Sequence, residues 1–274
     1  MTMRLILAPL LAVMILLASP ILVPAADRFI VVASTTSAMN SGLFDFVLPQ
    51  FEAQSGIRVR VIGVGTGQAI RMAERGDADV LFVHHKSSEQ EFVRQGFGLA
   101  RFDVMFNDFV IVGPKTDPAA IRGTAGAPGA YRKIAAARAI FVSRGDDSGT
   151  HKKSREIWRA AGIQTTAHSG GWYRESGAGM GATLNTASSM NAYTITDRAT
   201  WENFRNKGDL EILAEGDPAL RNQYGVIMVN PARHRHVKRE AAKSFIEWIV
   251  SAAGQAAINR FRVNAKQVFF ANAG

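Results

Sequence analysis

Between residues 29 and 83 the chain alternates short apolar runs with amphipathic ones, and this rhythm constrains the fold more than any other feature. Residues 29–33 (FIVVA) read as a buried strand, and 34–37 (STTS) as the loop that leaves it. Residues 40–54, with Leu43, Phe46, Val47 and Phe51 at helical spacing, read as an amphipathic helix closed by Gly56. Residues 58–64 (RVRVIGV) give a second strand, 69–75 a second helix ended by Gly76, and 80–83 a third strand. Strand, helix, strand in succession demands crossover connections, and these build a parallel sheet with helices on its faces.

The rhythm then breaks. Residues 103–114 (DVMFNDFVIVGP) form one long extended run, and 224–230 (YGVIMVN) form a second of the same character. Between them lie an Ala-, Gly- and Arg-rich, partly helical stretch (119–139), a strand (139–142), a helix from Ser148 through Trp158 ended near Gly162, a short helix (179–189) and a strand (191–196). After them, 241–252 is amphipathic with Phe245, Ile246 and Ile249 on one face. Two α/β halves joined by two extended segments suggest a two-lobed protein: a leader (1–26), the first part of lobe I (27–106), lobe II (107–223), and a return crossover with the rest of lobe I (224–274). A ligand would then sit in the cleft, at the carboxyl ends of the strands. A single doubly wound domain satisfies the same pattern, and length does not separate the two.

The leader is a distinct object. Arg4 precedes an apolar run over residues 5–21, and Val23-Pro24-Ala25-Ala26 offers small residues for cleavage before Asp27. That is the pattern of a secretory signal peptide cleaved near Ala25 or Ala26, with an uncleaved anchor as the competing reading. The chain has no Cys, so lipid attachment, disulfides and thiolate metal sites are excluded. No later segment has eighteen consecutive apolar residues, so the exported part reads as soluble. Removing Arg4 lowers the net charge from +9 to +8. A basic exported protein attracts anions, but its bases are scattered and not interleaved with aromatics, which argues against nucleic acid.

Three strand-to-helix junctions are rich in small donors: Ser34-Thr35-Thr36-Ser37, Gly65-Thr66-Gly67, and Ser143-Arg144-Gly145-Asp146-Asp147-Ser148-Gly149-Thr150. Each places hydroxyls and unpaired amides at a helix N-terminus, where the dipole favours an anion. Any one of them is equally an ordinary N-cap or turn. The third adds Arg144, a fork of donors matched to an oxyanion, with Asp146 or Asp147 available either to brace it or to accept from a protonated ligand. No nucleophile elbow, paired-His zinc motif or phosphate-binding P-loop is present. A phosphatase acting through Ser148 would lack an evident base. His84 reads as a strand-end residue near the cleft, and His151 as a plain first-turn residue.

The chain resembles the tungstate-binding proteins of tungstate ABC importers over nearly all of its exported length. The matching segments are STTSAMNSGLFDFVLPQFEAQSG, VGTGQA, GDADVLFVH, MFNDFVIVGP, SRGDDSGTH, GMGATLNTA, AYTITDR, YGVIMVNP and AAKSFIEWIVSAAGQAAI, in that order. The resemblance implies a two-lobed type II periplasmic binding protein fold that closes on its ligand, a monomer working with a membrane permease from the periplasm, and neither catalysis, cofactor nor metal site beyond the tungsten of the oxyanion. It implies ligand contacts from Ser34, Thr35, Thr36, Ser37, Gly65, Thr66 and Gly67 in lobe I, and from Arg144, Ser148, Gly149, Thr150, Gly181 and Thr194 in lobe II. Ser34 stands where the family usually shows Thr, and Ala199 where it often shows Gly. Tungstate and molybdate carry no proton at neutral pH and need only donors, whereas hydrogen phosphate rewards an acceptor. Molybdate, phosphate and sulfate remain alternatives for the same fold.

Overall fold

The computed structural model describes residues 28–274; the expected leader lies outside the described residues. The chain runs β1 (Phe29–Thr35), α1 (Thr36–Asn40), α2 (Leu43–Ser55), β2 (Arg58–Val64), α3 (Thr66–Arg75), β3 (Val80–Val83), α4 (Lys86–Arg94) and the 17-residue β4 (Gly98–Pro114). It continues with α5 (Ala127–Ala136), β5 (Phe141–Ser143), α6 (Gly149–Ala160), β6 (Tyr173–Glu175), α7 (Met180–Ser189), β7 (Thr194–Asp197), α8 (Arg198–Asn203) and β8 (Leu210–Ala214). It returns through β9 (Arg221–Val229), α9 (Arg239–Val250), α10 (Ala252–Arg260) and β10 (Phe270–Ala271).

In the first lobe β1 pairs in parallel with β2 on one side and β3 on the other, as the crossover rhythm requires. β9 then pairs antiparallel with β3, the first part of β4 with β9, and β10 with β4. Successive side chains point to opposite faces. Ile30, Val32, Phe82, Tyr224 and Val226 therefore pack under α2, α9 and α10, while Ala33, Leu81, Val83, Ile227 and Val229 pack under α3 and α4. In the second lobe the far end of β4 pairs with β7 and β8, and β5 joins β6 in parallel. Phe109 and Ile111 face a core with Tyr131, Trp158 and Tyr173, and Val110 and Val112 face another with Leu184 and Trp201. The chain is thus two helix-flanked sheets strung on β4 and β9. Those two strands pair with each other where the lobes meet, Asn107 opposite Asn222.

Local chemistry shifts several boundaries from the sequence expectation. The helix expected from residue 40 begins at Leu43, and residues 34–37, expected as a loop, instead end β1 and open the short helix α1, which Gly42 (φ 81°), in a left-handed conformation, separates from α2. Phe46, expected on the buried face, is 41% exposed beside Phe261. The first extended run begins at Gly98 rather than residue 103, and α4, α8, β8 and α10 are additional elements.

Candidate functional site

The amino ends of three helices converge where the lobes face each other. Thr35 caps α1 by accepting a hydrogen bond from the Ala38 amide (3.3 Å), Gly65 precedes α3, and Ser148 Oγ caps α6 by accepting from the His151 amide (3.1 Å). They enclose a cavity of about 10 Å³ lined by Thr35, Thr36, Ser37, Val64, Gly65, Thr66, His84, Arg144, Ser148, Gly149 and Thr150. Pockets for drug-sized ligands run to roughly 300–1,000 Å³, so this one suits a small ion. First-turn amides of a helix have no partner within it, and the dipole adds a partial positive charge.

Arg144 is the one fixed cation among the cavity's described lining residues, and it is only 9% exposed. Gly145 (φ 66°) turns the chain behind it, and a Cβ there would lie 2.5 Å from that of Glu175. The Arg144 guanidinium donates to Asp146 Oδ2 (2.6 Å), while its buried Nε has no partner. Asp146 Oδ1 accepts from both the amide (3.2 Å) and hydroxyl (2.6 Å) of Ser148. This carboxylate therefore braces the arginine and the cap rather than facing the cavity. Asp147 does something else: it takes Arg71 of α3 (2.7 Å) and Lys152 of α6 (2.7 Å), a bridge between lobes. Burial raises its carboxyl, but the two cations prevail and hold it below the usual range.

The lobes touch through glycines. The Gly67 amide donates to the Asp147 carbonyl (3.0 Å), and a Cβ at Gly67 would overlap the Asp147 carboxylate. A Cβ at Gly149 would lie 2.5 Å from His84 Cε1 and 2.9 Å from Thr66 Oγ1. Thr66 Oγ1 is fully buried and has no partner.

Not every residue of the expected set reaches the cavity wall. Ser34 donates its hydroxyl to the Phe82 carbonyl (2.7 Å), and Thr194 donates to the Val142 carbonyl (2.7 Å), so both hydroxyls serve their sheets. Gly67 is spent on the lobe contact. Gly181 lines a neighbouring depression of about 210 Å³ that shares Thr36, Ser37 and Arg144 with the cavity. His84 and Val64 are the lining residues absent from that set, and of the two only His84 brings a polar side chain. Its signal was its position just past the third parallel strand, where such sheets collect ligands. Burial, with help from His85 and Arg144 and against a bond to Asn222, pushes its imidazole down to about 4, so it is neutral at pH 7. His151 is no plain first-turn residue: its Nδ1 meets Ser143 Oγ (3.1 Å) and accepts from the Gly145 amide (3.2 Å), tying down the Arg144 loop. Burial also lowers its pKa.

A family model described as a PBP superfamily domain matches residues 23–253. The tungstate-binding protein TupA of Peptoclostridium acidaminophilum is 46% identical over 238 residues, covering 86% of this chain and 82% of that protein. The solved tungstate-binding protein TupA from Desulfovibrio alaskensis G20 superposes with a TM-score of 0.80 at 43% identity, covering 90% of this chain and all of that one. The crystal structure of a tungstate ABC transporter protein from Geobacter sulfurreducens gives 0.78 at 44% identity, over 86% of this chain and all of that one. Sequence, fold and the placement of the cavity between lobes converge: the chain belongs to the periplasmic binding protein (PBP) superfamily and, within it, to the family of TupA tungstate-binding proteins.

Proposed function

We propose that this protein is the extracytoplasmic solute-binding component of an ABC importer, and that it captures a tetrahedral oxyanion dianion, tungstate, between its lobes. The observation that carries the reading is the donor chemistry of the cavity. Hydroxyls of Thr35, Thr36, Ser37, Thr66 and Thr150, helix-terminal amides and Arg144 surround it, and no carboxylate is among its described lining residues. A fully deprotonated oxyanion wants that set; hydrogen phosphate, with its own O–H, would want a free carboxylate, and Asp146 is engaged elsewhere. Molybdate has the same shape and charge and is the competing ligand. Thr35, Thr36, Ser37, Gly65 and Thr66 supply one lobe's contacts and Arg144, Gly149 and Thr150 the other's, with Gly181 at the mouth and Ser148, whose amide and hydroxyl both go to Asp146, holding the loop in place. Ser34, Gly67 and Thr194 support the walls.

We take residues 27–106 and 224–274 as lobe I and 107–223 as lobe II, a division that the pairing of Asn107 with Asn222 supports. Binding to both lobes at once shifts the population toward the closed form, which a membrane permease would then recognise. We read the protein as a periplasmic monomer, exported by its leader, that binds without catalysis and without a cofactor. Among the described residues no helix is long and apolar enough to cross a membrane.

Titration calorimetry with tungstate, molybdate, sulfate and phosphate tests the reading. Tungstate should bind tightly, and Arg144→Ala should weaken it roughly ten- to a hundredfold, the worth of a charge-assisted hydrogen bond. Tight phosphate binding with silent tungstate would replace the ligand. Silence from all four would sink the proposal.

A further inference from the structure

The cavity holds two titratable side chains among its described lining residues, Arg144 and His84. Arg144 is already partly balanced by Asp146 at 2.6 Å. A dianion entering this space therefore meets less than two positive charges, and the unpaired remainder is costly in a buried site. His84 is placed to supply the missing one. Its Nδ1 lies 2.9 Å from Asn222 Oδ1, and Asn222 Nδ2 in turn donates to Asn107 Oδ1 (2.7 Å). With the amide held this way, Nδ1 carries a proton and Nε2 presents a lone pair. Among the described residues the one hydrogen-bond partner of Nε2 is the Ser37 hydroxyl at 3.5 Å, itself part of the cavity wall.

We infer that His84 is the proton acceptor of the site: as the dianion binds, Nε2 takes one proton from solvent and donates it to a ligand oxygen. No bond of the ligand is made or broken. This rests on the oxyanion reading above and deepens it, because it makes capture proton-coupled.

The surroundings agree. The Tyr224 ring packs 4.8 Å from the imidazole and Phe109 6.3 Å, Asn222 and Asn107 come from the crossover strands, and Thr66 and Gly149 close the other side. Burial holds the Tyr224 phenol neutral. No carboxylate bonds either nitrogen among the described residues, and the electrostatic influence of His85 and Arg144 on the ring disfavours a proton. The empty site thus keeps His84 neutral, and a dianion reverses the balance. The sign follows: His84's pKa is higher in the complex than in the free protein, so binding is strongest at low pH. Affinity falls by up to about tenfold per pH unit as pH rises between the two values.

The test is calorimetry of the wild-type protein with sodium tungstate between pH 6 and 8, in buffers of different ionisation heat. Uptake approaching one proton per ion at the acid end is expected, with affinity falling as pH rises. The imidazole nitrogens of His84 should show the imidazolium pattern in ¹⁵N spectra of the tungstate complex alone, a readout independent of any variant. His84→Gln, which keeps a neutral donor, should bind with no uptake and a flat pH profile, and His85→Gln should leave the uptake intact. Tungstate binding with the same heat in every buffer would overturn the inference and leave the oxyanion reading standing. It would mean that the Asn222 and Asn107 amides turn end for end and His84 donates as a neutral ring. Uptake that survives His84→Gln would overturn it equally, moving the proton elsewhere, with His151 the next buried histidine. Failure of every oxyanion to bind would overturn both.

Discussion

Gly149→Ala isolates lobe closure from the stability of either lobe. Gly149 opens α6 in the second lobe, and the atoms that its added methyl would meet belong to the first: His84 Cε1 at 2.5 Å, His84 Nδ1 at 2.8 Å and Thr66 Oγ1 at 2.9 Å. Ordinary contacts begin near 3.4 Å, so the overlap is close to 1 Å. Neither partner yields easily, since His84 is pinned by Asn222 and Thr66 is fully buried. Overpacking of this kind costs about 1–3 kcal/mol. Because only the closed form bears it, the tungstate dissociation constant should rise roughly 5- to 150-fold. Alanine suits a helix better than glycine does, so the ligand-free melting temperature should hold or rise. Calorimetric titration and a melt without ligand read the two effects separately. Unchanged affinity, or a melting point that falls in step with affinity, would show that α6 does not meet His84 and Thr66 in the bound state.

Thr66→Val should weaken tungstate binding by about 1–3 kcal/mol, since it removes a buried hydroxyl aimed at the cavity, whereas Ser34→Ala and Thr194→Val should change affinity little and lower unfolding stability by about 1 kcal/mol; calorimetry and urea titration check both. Asp147→Asn should weaken binding less than about fivefold, because its ion pairs are half exposed, and the deficit should vanish in roughly 1 M salt. Burial raises the Glu89 carboxyl to about 7 despite Arg101 at 2.6 Å, so the native state holds that proton more tightly than the unfolded chain. Unfolding free energy should therefore fall as pH rises from about 4.5 to 7, and Glu89→Gln should flatten that slope in urea titrations across the range.

The junctions that build the cavity were legible because each is contiguous in sequence. STTS, GTG and SRGDDSGT each follow a strand and open a helix, and a dipole at such a junction needs no long-range information. What a one-dimensional reading lacks is which hydroxyl turns inward. Ser34 and Thr35 are neighbours on an extended chain and point opposite ways, so one bonds a sheet carbonyl and the other lines the cavity. His84 was legible as a strand-end residue near the cleft, but its orientation was hidden for a related reason: the asparagine that sets it lies 138 residues away. α4 went unseen because Phe92 and Val93 are its only apolar residues, and its cap is His85, an unusual capping residue. The break between α1 and α2 depends on one left-handed glycine in an otherwise smooth amphipathic pattern.

The length of β4 has a consequence for how this chain can change over generations. One unbroken strand pairs with β9 along its first part and with β7 and β8 along its last, so it carries the register of both sheets. A single residue gained or lost near Asp108 would exchange the faces of everything beyond it. Phe109 and Ile111 would trade places with Val110 and Val112, and each of the second lobe's cores would receive the other's side chains. The strand therefore behaves like a reading frame. Insertions in surface turns such as that at Gly177, where φ is 64° and no atom lies near, leave the parity untouched. The helix α6 that carries Ser148, Gly149 and Thr150 to the cavity is aimed by a count of residues made some forty positions earlier.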